Sequence, residues 1–166
     1  MDAGLLLGRV VLGLLMAGHG SQKLFGWFGG YGIAGTGGYF ESLGFRPGRF
    51  FAAAAGTTEF VGGLLVALGL LGPLGPAMII ATMIVAMATV HWGHGVFAQN
   101  GGVEVPLLYS VGAAALALTG FGAYSLDGLL QLSWPTPVIL SALALGVIGG
   151  FANLAIRKTG PTEAHV

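Results

Sequence analysis

The fold of this chain is decided by residues 50–80, which read FFAAAAGTTEFVGGLLVALGLLGPLGPAMII. The first part is almost uniformly apolar over about twenty residues, the length that an α-helix needs to cross the hydrocarbon core of a bilayer. The tight turn Gly72-Pro73-Leu74-Gly75-Pro76 interrupts it, and apolar residues resume at once. Because the turn leaves no room for a domain, the sequence predicts an antiparallel hairpin of two membrane-spanning helices.

The composition of the whole chain is that of a membrane protein. Of the 166 residues only 7% are charged and 55% are hydrophobic, and the mean hydropathy is +0.87. A soluble domain carries about 25% charged residues, so this chain cannot cover itself with a water-soluble surface. The net charge is zero, which gives no indication of a nucleic-acid partner. The lack of cysteine excludes disulfides, thiolate metal ligands and thiol redox catalysis by this chain.

Turn-forming residues divide the chain into five apolar segments, at about residues 4–25, 50–71, 77–97, 106–121 and 138–156. In the long first connection Tyr39, Phe40 and Leu43 fall at helical spacing, which predicts a short amphipathic helix in the membrane interface. The predicted fold is an all-α polytopic membrane protein with a single domain over residues 1–166. It is a four-helix transmembrane bundle followed by a fifth, C-terminal transmembrane helix.

The basic residues predict the orientation in the membrane. With five spans, five of the six Lys and Arg residues fall on the face that also holds the C-terminus: Lys23, Arg46, Arg49, Arg157 and Lys158. The positive-inside rule places this face in the cytoplasm. We therefore expect the N-terminus outside and the C-terminus in the cytoplasm.

Ionisable side chains inside a bilayer are costly, so they are candidates for function. His19 and Lys23 lie four residues apart and share a face of the first helix. Glu59 lies about 10–15 Å deep in the second span at the helical rise per residue, too deep for its short side chain to reach the headgroups. We expect Glu59 to contact His19 or Lys23, and His91 of the third span to face the same cavity.

Three kinds of ligand fit His19, Glu59 and His91. The two histidines could ligate a haem, or they could hold a metal ion together with the carboxylate. The same groups could hydrogen-bond a quinone carbonyl and exchange its protons, because histidine titrates near neutrality. A quinone also needs an aromatic-lined slot. Aromatic residues cluster at this end of the spans, although aromatic belts also occur at membrane interfaces: Phe25, Trp27, Phe28, Trp92 and Phe97. Spacing alone does not choose among these ligands.

Arg9 and Asp127 belong to the other membrane face. Arg9 lies near the start of the first span, and Asp127 follows the end of the fourth. The sequence predicts a structural ion pair between them that locks the two helices together.

Several motifs resemble those of DoxX-type membrane proteins. They are Arg9-x3-Gly13, Gly18-His19-Gly20-x2-Lys23-Leu24-Phe25-Gly26, Glu59-Phe60-Val61-Gly62-Gly63-Leu64-Leu65 and Gly120-Phe121-Gly122-x-Tyr124-Ser125-Leu126-Asp127. The resemblance covers about residues 4–127 and implies a four-helix membrane bundle, so the span at 138–156 is an addition to it. The family takes its name from a subunit of a quinol oxidase and thiosulfate:quinone oxidoreductase system, and other members look like partners of soluble redox enzymes.

The resemblance implies a subunit of the bacterial inner membrane that supports quinone-linked electron transfer within a larger redox complex. Its partners would be the lipid bilayer and other redox subunits. Its quinone-binding residues would be His19, Lys23, Glu59 and His91, acting through hydrogen bonds and proton exchange. The sequence contains no motif of a free-standing enzyme. The alternative is a non-catalytic structural or assembly subunit, in which the same polar residues only fix helix packing.

Overall fold

Seven α-helices follow one another along residues 1–158, the part of the chain that the computed structural model describes. They are α1 (Asp2–Phe25), α2 (Gly32–Ser42), α3 (Gly48–Leu68), α4 (Leu74–Ala86), α5 (Glu104–Thr119), α6 (Leu126–Leu129) and α7 (Thr136–Ala155). No strand occurs within these residues. The predicted all-α class is confirmed.

Four helices of the described chain are long and apolar enough to cross a membrane: α1, α3, α7 and α4 together with its continuation to His94. That continuation consists of a π-helical turn at Met87–His91 and a 3-10 turn at Trp92–His94. Helix α5 is apolar but has only 16 residues. At 1.5 Å per residue it is about 24 Å long, so the predicted fourth span exists as a shorter helix than its neighbours.

The predicted hairpin of α3 and α4 is present, and its connection is as tight as the turn residues indicate. Helix α3 ends at Gly69, which has φ 65°, a conformation that L side chains rarely adopt. A Cβ at Gly69 would also come within 3.2 Å of Arg9 Cζ and closer still to Ser125. Only glycine therefore fits this position. We call this end of the bundle the turn end.

Helices α1 and α3 pack backbone against backbone. Gly13 of α1 lies against Gly63 and Ala67 of α3, and Gly20 of α1 lies against Gly56. A Cβ on Gly13, Gly20 or Gly63 would overlap backbone atoms of the facing helix. Lipid tails are as apolar as leucine, so close van der Waals packing of this kind supplies the association energy that the hydrophobic effect supplies in water.

The packed core lies toward the turn end. Its buried side chains come from four helices and the segment after α5: Met16, Val66, Ile79, Ile80, Met83, Ala113, Leu116 and Phe121. Helix α7 packs on the outer side of α4, where Gly146 lies against the backbone of Ala77 and Gly150 lies against Ile84. The additional C-terminal helix thus covers one face of α4.

Helix α2 lies at the opposite end of the bundle, where the sequence predicts an amphipathic helix. Its Thr36 and Gly37 are buried, whereas Tyr39 is 50% exposed. The end of α7 returns to the same region, because the Lys158 backbone N–H donates to the carbonyl of Gly44 at 2.9 Å.

The two ends of the described chain lie at opposite ends of the bundle. At the turn end, Asp2 Oδ1 accepts the Ala123 N–H at 2.9 Å, whereas Lys158 lies beside the connection that follows α2. This is the arrangement that an odd number of crossings produces.

Candidate functional site

A large cavity opens in the half of the bundle that lies away from the turn end. Its volume is about 850 Å³, within the range of roughly 300–1,000 Å³ that is usual for small-molecule sites. Its walls come from α1, α2, α3, α4, the first turns of α5 and one residue of α7. Met16 and Met83 belong to the packed core and also line the cavity, so they form its floor.

Lys23 and Glu59 form an ion pair in the cavity wall. The Lys23 Nζ lies 2.6 Å from Glu59 Oε2, so the lysine donates to that oxygen. Glu59 is only 4% exposed, whereas the Lys23 side chain is 25% exposed. The other carboxylate oxygen, Oε1, makes no hydrogen bond to a residue in the 1–158 range, so it is available to a ligand. The structure thus supplies Lys23 as the cation that a carboxylate at this depth requires.

His19 lies one turn before Lys23 on α1 and also lines the cavity. Its ring packs edge-on against Tyr109 of α5, with ring centroids 5.8 Å apart and an interplanar angle of 83°. Within the described part of the chain it forms no hydrogen bond with Glu59. Of the two partners expected for Glu59, Lys23 therefore makes the contact and His19 does not.

His91 lines the cavity from the α4 side. Its Nδ1 lies 2.6 Å from the carbonyl oxygen of Gly101, in the connection between α4 and α5. A carbonyl oxygen only accepts hydrogen bonds, so Nδ1 donates to Gly101, and Nε2 is the ring nitrogen left to face a ligand.

The backbone around His91 departs from a regular helix. His91 closes the π-helical turn Met87–His91, and such turns are frequent at functional sites because they re-aim the side chains that follow. The connection that holds Gly101 is closed by two backbone hydrogen bonds, from Val103 to Gly95 at 3.0 Å and from Glu104 to Val96 at 2.9 Å. His91 is therefore anchored to a closed loop.

Aromatic side chains cover the cavity on the α2 side. Phe45 packs against Phe40 and Phe51, with ring centroids 6.0 and 5.3 Å apart, and all three line the cavity. Tyr31 and Tyr39 add two phenol rings. The aromatic residues that the sequence suggests for this role do not line the cavity and are 51–77% exposed: Phe25, Trp27, Phe28, Trp92 and Phe97. Of the two readings of these five residues, the structure favours the aromatic belt at the membrane interface over the cavity wall.

The structure thus brings His19, Lys23, Glu59 and His91 into the wall of one cavity. Tyr109 is a further lining residue that the sequence-based set omits. The sequence does place Tyr109 near the start of the fourth predicted span, at the same membrane face as the four predicted residues. Within residues 1–158 there is no group of three or more His, Cys, Asp or Glu side chains that could hold a metal ion.

The predicted ion pair between Arg9 and Asp127 is not formed among the described residues. Arg9 is 3% exposed and donates to the carbonyl oxygens of Ala67 and Tyr124 instead. Ala67 lies in the last turn of α3, where carbonyl groups lack helical partners and the helix dipole favours a cation. Backbone oxygens therefore take the place of the carboxylate that the sequence suggests.

Asp127 likewise binds the connection between α3 and α4. Its Oδ1 accepts the Leu71 N–H at 2.8 Å, and its Oδ2 accepts the Gly72 N–H at 2.7 Å and the Trp134 indole N–H at 2.9 Å. Leu71 has φ 60° and Gly72 has φ 48°, so both donors belong to a left-handed turn. Arg9 and Asp127 act on the same hairpin, each through backbone groups.

Comparisons with known proteins agree with the motifs. The DoxX family model matches residues 4–92. The inner membrane protein YqjF of Escherichia coli (strain K12) is 33% identical over 136 residues, which cover 80% of this chain and 96% of that relative. No solved structure gives a significant match. The matched residues 4–92 include the four sequence-predicted site residues and exclude Tyr109, Asp127 and all of α7.

Proposed function

The chain belongs to the DoxX family, and on that premise we propose that it is a multi-pass bacterial inner-membrane protein supporting quinone-linked electron transfer within a larger redox complex. The inner-membrane location is supported by the name of the relative and by the four helices that can span a bilayer. The binding of a quinone is the more specific part of the proposal. The observation that carries it is the cavity with the Lys23–Glu59 ion pair in its wall.

The cavity fits a quinone in size and in chemistry. A quinone has an apolar ring with two carbonyl oxygens that accept hydrogen bonds. The ring requires apolar and aromatic walls, which Phe40, Phe45 and Phe51 provide. The oxygens require donors, which the ammonium of Lys23 and the hydroxyl of Tyr109 can supply.

A bound quinone would supply two-electron, two-proton redox chemistry, which no side chain of this chain offers. The residues of the chain bind it, orient it and exchange its protons. His91 has Nδ1 engaged with Gly101, so Nε2 is the ring nitrogen that can hydrogen-bond a ligand in the cavity. Glu59 keeps the Lys23 ammonium in place and offers Oε1 as a second acceptor. We propose that the electrons are exchanged with a partner redox subunit.

We expect Glu59→Gln to weaken quinone binding about tenfold, because it removes the negative charge that holds the Lys23 ammonium, a donor to the quinone, in the cavity wall. Glutamine keeps the size of the side chain, so the protein should still fold. The measurement is quenching of intrinsic tryptophan fluorescence by a short-chain quinone, together with the quinone content of the purified protein.

Glu104→Gln is the matched control for this experiment. Glu104 is also a glutamate with one carboxylate oxygen in a hydrogen bond, because its Oε2 accepts the Ala98 N–H at 2.7 Å, but it is not in the cavity wall. Quinone affinity should be unchanged in this variant. Equal affinity in wild type and Glu59→Gln would refute the quinone site and favour the structural or assembly subunit, in which the ion pair only fixes helix packing.

A further inference from the structure

A cluster of four cationic side chains lies at the end of the bundle opposite the turn end. Arg46 and Arg49 stand on either side of the start of α3, and Arg157 and Lys158 follow the end of α7. We call these four residues the basic cluster. None of them lines the cavity, so the cluster is separate from the proposed quinone site.

The fold gathers these cations from two distant segments of the chain. Arg157 Nε donates to the carbonyl oxygen of Leu43, and the Lys158 N–H donates to the carbonyl oxygen of Gly44. Gly44 has φ 92°, and a Cβ there would overlap the backbone of Lys158. The end of α7 is thus fixed against the turn that leads into Arg46.

The cluster carries far more positive than negative charge. Among the residues that the structure describes, Glu41 is the carboxylate nearest to it along the chain, and its Oε1 accepts the Gly48 N–H at 3.0 Å. No ion pair is formed between the basic cluster and a carboxylate of this part of the chain. Holding four like charges together costs free energy unless an anion lies between them.

We propose that the basic cluster binds the phosphate of an anionic phospholipid headgroup. The cluster lies where α3 begins and α7 ends, which is the level of the headgroups for helices that span the bilayer. Beside it, the aromatic side chains Phe50 and Tyr39 are 64% and 50% exposed, as is usual at a membrane interface.

The chemistry of the cluster also matches a phosphate. The planar guanidinium groups of Arg46 and Arg49 can bind phosphate oxygens in pairs, which a lysine ammonium cannot do. Basic sites between helix ends are the usual binding sites of anionic headgroups on the cytoplasmic side. The inference is independent of the quinone, because none of the four cationic residues of the basic cluster lines the cavity.

The test measures thermal unfolding of the full-length protein in a zwitterionic detergent, with added phosphatidylglycerol or phosphatidylcholine. Phosphatidylglycerol should raise the Tm of the wild type by roughly 5 °C more than phosphatidylcholine does. The double variant Arg46→Gln/Arg49→Gln should lose that difference. These two side chains make no hydrogen bond to a described residue, so the variant should fold.

The double variant Arg46→Lys/Arg49→Lys distinguishes a defined phosphate-binding site from general electrostatic attraction to anionic lipid. It keeps both charges but not the paired donors, so it should lose most of the difference. A full Tm shift in this variant would overturn the proposal in favour of general electrostatic attraction. Equal shifts with the two lipids in the wild type would overturn it as well. The same shift with inorganic phosphate at equal concentration would assign the site to free phosphate instead.

Discussion

Gly13→Leu is expected to destabilise the folded protein by roughly 3 kcal/mol or more. A Cβ at Gly13 overlaps the backbone of Gly63 and Ala67, and these atoms cannot move unless the two helices separate. Separation would remove the contacts of α1 with α3 and open the floor of the cavity. The measurement is Tm in detergent together with the yield of monodisperse protein.

Gly8→Leu in the same helix is the control. A Cβ at Gly8 meets no atom within 4 Å, so leucine there should face lipid and leave the Tm nearly unchanged. The comparison cancels the intrinsic effect of a Gly→Leu change in a membrane helix. If both variants were equally stable, the close approach of α1 and α3 would be wrong.

Asp127→Ala should lower the free energy of unfolding by roughly 3 kcal/mol, because it leaves three buried or half-buried donors without an acceptor. Those donors are the Leu71 and Gly72 N–H groups and the Trp134 indole. The loss would free the left-handed turn between α3 and α4. Asp2→Ala is the matched control: Asp2 accepts one exposed N–H, from Ala123, so its loss should cost little.

The charge-swapped variant Arg9→Asp/Asp127→Arg distinguishes binding to helix ends from a direct ion pair. If each charge binds backbone groups, the swap places a carboxylate against the carbonyls of Ala67 and Tyr124 and a guanidinium against backbone N–H groups. The double variant should then be at least as unstable as the sum of the single ones. Partial recovery of stability in the double variant would instead support the direct ion pair that the sequence predicts.

Periodicity and depth explain what could be predicted from the sequence. The hairpin of α3 and α4 followed from one short turn between two apolar runs, because a chain that crosses a bilayer twice with no intervening domain has no other arrangement. The convergence of His19, Lys23, Glu59 and His91 followed from their similar depth in adjacent spans. A carboxylate at the depth of Glu59 needs a cation, and Lys23 was within reach.

The features that could not be predicted depend on backbone groups and on tertiary contacts. The sequence shows that Arg9 and Asp127 lie at one membrane face, but it does not show the free carbonyls and N–H groups at the ends of α3 and α4 that bind them. Backbone groups at helix ends compete with charged side chains as hydrogen-bond partners, and here Arg9 and Asp127 both bind backbone groups. The aromatic wall could not be identified for a related reason: whether a ring near a span end faces a cavity or the interface depends on how α2 folds back, which no local pattern encodes.

The unequal packing of the two ends of the bundle implies unequal motion. At one end α1, α3 and α4 are held by close backbone contact and by the hydrogen bonds of Arg9 and Asp127, whereas the other end encloses a cavity of about 850 Å³. Local opening requires the least free energy where few buried contacts must break. The tight end should therefore behave as a fixed hinge, with slow amide hydrogen exchange. The helices should separate transiently at the end that holds the cavity. A hydrophobic molecule dissolved in the bilayer could then enter the cavity sideways between the helices, without any dedicated gate.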